Sequence, residues 1–285
     1  MAIRHKEPIP RTEILRRLRE NVAKGIPIIG AGAGIGLSAK CEEAGGADMI
    51  ICYNSGRFRM QGRASVSGAF PMGDANGTVV ELGYEILPLI DHTPVIAGVY
   101  AHDSYRFLDL FLEDLRRMGF SGVQNFPCNG CFSGPFAAEL ENVGFSFQNE
   151  VELIRLAHEM DFFTSPYVYN EDHIEKMMDA GADILVVHVG GTNGGMIGVG
   201  DDVSQSLDET IGHVQKLRDF AVSIDPNAIV IAHGGPLSTP KEVDYFFQRT
   251  HGIAGFFGAS SAERLPTEVA LTQCIRDYKS IRVVK

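Results

Sequence analysis

Eight short runs rich in β-branched and aromatic residues recur along the 285-residue chain, with room for a helix between each pair. They read "IPIIGA" (26–31), "DMIICY" (48–53), "PVIAGVY" (94–100), "GVQNF" (122–126), "FFTS" (162–165), "ILVVH" (184–188), "AIVIAH" (228–233) and "IAGFFG" (253–258). Continuous apolar runs of this length mark strands buried on both faces, the signature of a parallel sheet covered by helices. The intervening patterns are helical. "TEILRRLRENVAKG" places Ile14, Leu15, Leu18 and Val22 on one face, and "YRFLDLFLEDLRRMG" does so with Phe107, Leu108, Phe111, Leu112 and Leu115. "SLDETIGHVQKLRDFA" opens on Ser206 with Glu209 three residues on, a capping box.

A weak internal echo supports the same architecture. "EEAGGADMIICY", "RRMGFSGVQNF", "MDAGADILVVH" and "QRTHGIAGFF" each run helix end, glycine, strand, and they precede the second, fourth, sixth and eighth runs. Eight βα units in a chain of this length predict a single (β/α)8 TIM barrel over residues 1–285, with an extra N-terminal helix. A doubly wound open sheet is the alternative. Two segments, 54–77 and 127–148, exceed ordinary βα loops and belong to the C-terminal face, where barrel active sites sit. Their apolar residues Phe58, Met60, Phe70, Met72, Phe132 and Phe136 suit an oligomer interface, or else a lid over the barrel mouth.

Charge and composition exclude several partners. Acidic residues outnumber basic ones 36 to 25, and no Lys/Arg block exists to bind nucleic acid or an anionic membrane. Apolar stretches fall far short of the ~20 residues a membrane helix needs. The charged N-terminus "MAIRHKEPIPRTEILRRLREN" lacks a signal-peptide core, so a cytoplasmic protein is expected. Cys128 and Cys131 form a C-x-x-C, but Cys41, Cys52 and Cys274 supply no second one, and the pair reads as loop residues.

Function in a barrel is read from the residues that close each strand. The sixth and seventh runs both end on histidine, His188 and His233, whose imidazoles titrate near neutral pH and serve as general acid or base. "HGGP" (233–236) follows the seventh run, "GASSAER" (258–264) the eighth, and "GGTNGGMIGVG" (190–200) the sixth. Such loops let backbone N–H groups approach an anion, making Gly234, Gly235, Gly258, Ala259 and Ser260 candidate phosphate contacts. None of the eight lysines ends a strand, which excludes a Schiff-base aldolase. Asp103 is the best-placed carboxylate for a divalent metal such as Mg²⁺, and Glu263 lies past the eighth run. "GAGAGIG" (30–36) imitates a dinucleotide fingerprint, but "YNSGR" stands where its acidic partner belongs, so NAD is not expected.

The stretches "GFSGVQNFP", "EMDFFTSPYVYNED", "AGADILVVHVGGTNGG", "AHGGP" and "GFFGASSAERLP" resemble the phosphoenolpyruvate hydrolase-like TIM-barrel family, whose members are also described as signal-transduction barrels. More distantly, "GLSAKCEEAGGADMIICYNSG" is similar to the first βα unit of the phosphoenolpyruvate mutase, phosphonopyruvate hydrolase and isocitrate lyase superfamily. That resemblance implies that Ser55 and Gly56 bind a substrate carboxylate with help from Arg57, beside the strand-end candidate Asn54, and it places His188 at a strand-end histidine of the superfamily. It also implies a hydrolase or lyase acting on a small phospho- or phosphono-carboxylate, such as phosphonopyruvate or phosphoenolpyruvate. The superfamily's metal-binding Asp-x-Asp is replaced here by Gly98 and Tyr100, and its Glu-Asp-Lys segment by Phe126, Pro127 and Cys128. A non-catalytic barrel sensing an anionic metabolite is therefore the rival expectation, and a homo-oligomer is expected in either case.

Overall fold

A computed structural model describes residues 5–284. The chain begins with α1 (Arg11–Lys24) and then alternates strand and helix: β1 (Ile28–Gly32), α2 (Gly36–Ala44), β2 (Met49–Cys52), α3 (Asn54–Met60), α4 (Ala75–Ile86), β3 (Val95–Val99), α5 (Leu108–Met118) and β4 (Gly122–Asn125). It continues through α6 (Gly134–Asn142), α7 (Phe147–Glu159), β5 (Phe163–Thr164), β6 (Tyr167–Val168), α8 (Glu171–Asp179) and β7 (Leu185–His188). The last elements are α9 (Leu207–Ile224), β8 (Val230–His233), α10 (Pro240–Phe247), β9 (Gly255–Gly258) and α11 (Arg264–Ser280).

All strands are parallel and form one curled sheet in the order β5-β4-β3-β2-β1-β9-β8-β7-β6. The two ends of this order are the halves of one extended segment, 163–168. Ser165 N–H donates to Val123 on one side, and Val186 N–H donates to Pro166 on the other. The expected fifth strand is thus split into two, giving nine strands in place of eight. Pro166 explains the split, because it has no N–H to give to a ladder. The architecture is that of a TIM-barrel-like α/β fold.

Side chains alternate across the sheet. Met49, Ile51 and Tyr53 face the interior with Ile28, Ile96, Phe163, Tyr167, Val186, Ile231 and Phe257. Ile50 and Cys52 face outward with Val79, Leu82 and Leu112, under the surrounding helices. Ile14, Leu15 and Leu18 of α1 join the interior cluster and close the N-terminal end of the barrel. Val22, expected on that buried face, is exposed. So is Phe107, which lies just ahead of α5. The Ser206–Glu209 capping box is present at the start of α9. The helix-closing glycines also hold: Gly119 (φ 111°) and Gly181 (φ 86°) adopt backbone angles that other residues rarely tolerate. Among the described residues no helix is long and apolar enough to cross a membrane. In α11, 17 residues long, Arg264 is the buried residue, while Val269, Leu271, Ile275 and Tyr278 are exposed.

Candidate active site

The C-terminal ends of the strands surround a cavity of about 520 Å³. Its floor and walls come from Tyr53, Ser55, Arg59, Phe126, Cys128, Tyr167, Tyr169, His188, His233, Ala259 and Ser260. The segment after β2 contributes Val66, Ala69 and Phe70, and the segment after β4 contributes Cys131 and Phe132. These two long segments meet over the mouth, with the Phe70 and Phe132 rings 5.8 Å apart between centroids. Of the two expectations for their apolar residues, Phe70 and Phe132 act as a lid. Phe136 stacks edge-on against Phe132 but stays half exposed, as does Met72.

His188 and His233 end neighbouring strands in register, so their side chains emerge on the same face. Their ring centroids lie 4.7 Å apart, and the Tyr167 ring stands 4.8 Å from one and 5.0 Å from the other. Hydrogen bonds fix a different tautomer on each. His188 Nδ1 accepts from the Gly190 N–H at 3.1 Å, so its proton sits on Nε2. His233 Nδ1 lies 2.8 Å from the Phe257 carbonyl oxygen, which can only accept, so Nδ1 carries the proton and Nε2 is bare. Burial pulls the His233 imidazole down to about 4. Burial, reinforced by His233, holds His188 well below the usual histidine range. Both rings are therefore neutral at pH 7, one offering an N–H and the other a lone pair.

Arg59 is the cation of the cavity among the described lining residues. Helix α3 begins directly after β2, and Ser55 and Arg59, four residues apart, share its inner face. The guanidinium donates through Nε to Glu263, through Nη2 to the Gly32 carbonyl, and lies 5.5 Å from the Tyr53 ring centroid. Glu263 also accepts from the Gly34 N–H at 2.7 Å. Both side chains of the pair are fully buried. Burial opposes the charge on Arg59, but the Glu263 carboxylate outweighs it and the net shift is upward. Beside the pair, Ser55 Oγ donates to the Ser65 carbonyl at 2.8 Å, and the Ser65 and Ser260 hydroxyls share a hydrogen bond of 2.8 Å.

Of the residues singled out from the sequence, His188, His233, Ser55, Ala259 and Ser260 line the cavity. The others stand apart from it. Asp103 accepts from Asn76 Nδ2 at 2.9 Å, from the Tyr105 N–H at 2.9 Å and from Arg106 at 2.7 Å, so it caps a turn and anchors Arg106. Arg57 points off α3 to Glu85 at 3.1 Å. Asn54 is buried against Phe70 O and its neighbour's N–H. Gly56 packs on the turn after β1, where a Cβ would stand 3.0 Å from Ala33 O. Gly234 and Gly235 serve the neighbouring loop: a Cβ on Gly234 would meet Gly190 O at 2.1 Å, and the Gly235 N–H already donates to that oxygen. Gly258 packs on Phe256, Ser261 and Ala262. Glu263 reaches the site only through Arg59. The glycines were a sound signal of close approach, but what approaches Gly234 and Gly235 is protein backbone.

The cavity also contains residues to which the strand-end reading assigned no role. Arg59, four residues on from Ser55, reaches the cavity because the chain is helical from Asn54 onward. Tyr167, counted among the residues closing the fifth run, and Tyr169 follow the break at Pro166. Cys128 and Cys131 both line the wall. Cys128 Sγ lies 2.7 Å from the Tyr169 hydroxyl, and Cys131 donates to the Cys128 carbonyl at 3.0 Å. Among the described residues no group of three His, Cys, Asp or Glu is placed to hold a metal ion. With its oxygens committed to Asn76, Tyr105 and Arg106, Asp103 does not fit the magnesium role.

A model of the phosphoenolpyruvate hydrolase-like family matches residues 13–281. The ToMV resistance protein Tm-1(GCR237) of Solanum lycopersicum is 51% identical over 271 residues, covering 95% of this chain and 36% of the tomato protein. The chain thus spans about a third of that relative's length. Among solved structures, oxaloacetate acetylhydrolase in complex with its product oxalate aligns with a TM-score of 0.60 at 18% identity, covering 98% of this chain and 90% of the other. Phosphoenolpyruvate phosphomutase from Streptomyces platensis subsp. rosaceus gives 0.57 at 14% identity, covering 94% and 92%. These two likenesses establish a shared fold.

Proposed function

The chain belongs to the phosphoenolpyruvate hydrolase-like family, and from that premise we propose that it is a hydrolase or lyase acting on a small carboxylate held above His188 and His233. The observation that carries this reading is the pair of neutral imidazoles in opposite tautomers on adjacent strand ends. His233 Nε2 takes a proton, from an attacking water in hydrolysis or from a substrate hydroxyl in a carbon–carbon cleavage. His188 Nε2–H donates to the oxygen on which negative charge develops. The Ser260 hydroxyl and the outer edge of Arg59 orient the carboxylate. The lid formed by Phe70 and Phe132 limits the entry of water.

The fold-sharing acetylhydrolase holds oxalate in its structure, which supports a carboxylate ligand. The phosphoryl half of the expected phosphoenolpyruvate or phosphonopyruvate is less well served, because Gly234, Gly235 and Gly258 do not line the cavity. The test is product formation from oxaloacetate, phosphonopyruvate and phosphoenolpyruvate, followed by proton and phosphorus NMR. His188→Ala and His233→Ala are each expected to lower turnover at least about a hundredfold with the fold retained by circular dichroism. Unchanged turnover in both variants would sink the assignment.

One observation favours the second reading, a barrel that binds a metabolite without converting it. The cation at the site is already matched by Glu263, which leaves little unspent charge to drive chemistry. Reversible binding with no product from any of the three compounds would favour this reading.

Assembly into a homo-oligomer is part of the same proposal, with the apolar surface on α11 in place of the two lid segments. Leu271, Ile275 and Tyr278, which share one face of the helix, expose more than half of their surface there, more than isolated apolar residues on a monomer surface would require. Light scattering is expected to give at least twice the 31.0 kDa chain mass. A monomer at micromolar concentration would refute it.

A further inference from the structure

On the reading just given, we infer that the substrate is a singly charged acid whose remainder is a flat apolar group, of the aromatic 2-oxo acid class, and is not a phosphorylated three-carbon acid. Size is the first argument. A cavity of about 520 Å³ falls inside the roughly 300–1,000 Å³ of sites that enclose drug-sized ligands. A three-carbon acid would leave most of that space to water.

Charge is the second. No lysine, aspartate or glutamate lines the cavity among the described residues, and its guanidinium is spoken for by Glu263. The three imidazoles at the site, His188, His213 and His233, are each held below the usual histidine range by burial. One carboxylate can share Arg59 and accept hydrogen bonds from Ser260 and His188. A second and third negative charge on a phosphoryl group would be buried with no cation to answer them.

The third argument is the separation of polarity. His188, His233 and Ser260 lie at or just past the strand ends, while Val66, Ala69, Phe70 and Phe132 of the two long segments supply most of the apolar lining, with Ser65, Thr192, Gln205 and His213 at its margins. Phe126 and Tyr167 meet edge to face at 5.9 Å on the wall between. A ring extending from the acid head toward the lid would lie among Phe126, Tyr167, Phe70 and Phe132.

Calorimetric titration of the whole chain with pyruvate, phenylpyruvate and phosphoenolpyruvate tests the inference. Phenylpyruvate is expected to bind about tenfold to a hundredfold more tightly than pyruvate, the range for burying one phenyl group. Phosphoenolpyruvate is expected to bind more weakly than pyruvate. Ala69→Phe, which fills the lid end, should abolish the phenyl advantage and spare pyruvate. Phe132→Ala should weaken phenylpyruvate alone. Tightest binding of phosphoenolpyruvate, a phenyl advantage that survives both variants, or binding of none of the three overturns it. Because binding is measured without turnover, a chain that shows this preference yet forms no product refutes the acid–base roles and leaves the ligand class standing.

Discussion

Replacing Glu263 by alanine is expected to cost about 3–5 kcal/mol of stability, the usual loss when one member of a buried ion pair is removed. Three consequences follow from that single deletion. The Arg59 guanidinium is left charged and fully buried, with the Gly32 carbonyl and the hydroxyl and ring of Tyr53 as its remaining partners. The Gly34 N–H loses its acceptor. The ends of β1, α3 and α11 lose the ion pair that ties them together. The double variant Arg59→Met, Glu263→Met removes both charges and is expected to recover most of the loss, since apolar side chains of similar length often replace a buried pair at little cost. Urea unfolding midpoints of the three proteins decide the matter. A loss below about 1 kcal/mol in Glu263→Ala would show that water reaches the pair and screens it.

The same pair shows where sequence reasoning stopped. The strands could be located to within a few residues because a buried parallel strand must be continuously apolar, and "ILVVH" or "AIVIAH" admit few other interpretations. His188 and His233 were legible for the same reason: each is the first polar residue at the end of such a run. Arg59 was not, because its position depends on α3 starting at Asn54, immediately after β2. Read as a loop, that segment offers Arg57, nearest the Ser-Gly turn. Wound as a helix, it turns Arg57 toward Glu85 and Arg59 toward the cavity. Glu263 gave no sign of its partner, which lies 204 positions away in sequence. The glycine loops misled in another way. A glycine reports that something comes close, but Gly190 backbone and a phosphate would leave the same trace at Gly234. Glu42 is a further case. It looks like an ordinary surface residue of α2, yet both carboxylate oxygens are buried without a partner and burial pushes its carboxyl up to about 8.

Acidification is expected to destabilise the wild-type chain more than His233→Gln, by about 2–3 kcal/mol between pH 7 and pH 4.5. In the unfolded chain His233 titrates near the ordinary value of about 6.5, whereas in the folded barrel burial holds it at about 4. Above pH 6.5 neither state carries the proton and the residue has no influence on pH dependence. Between 6.5 and 4 the unfolded state binds a proton that the folded state refuses, so stability falls as pH falls. Each pH unit in that window is worth about 1.4 kcal/mol. Removing His233 also lifts its opposing charge from His188, which then accepts its own proton more readily, and this acts in the same direction. Comparing the variant with the wild type at both pH values cancels Glu42 and Glu150, whose upward shifts have the opposite sign. A pH-independent difference between the two proteins would mean that His233 titrates in the fold as it does in the unfolded chain, near about 6.5. It would then hold the lone pair on which the proposed proton transfer depends only above that pH, and turnover would decline below about pH 6.5, where a base held near 4 stays active.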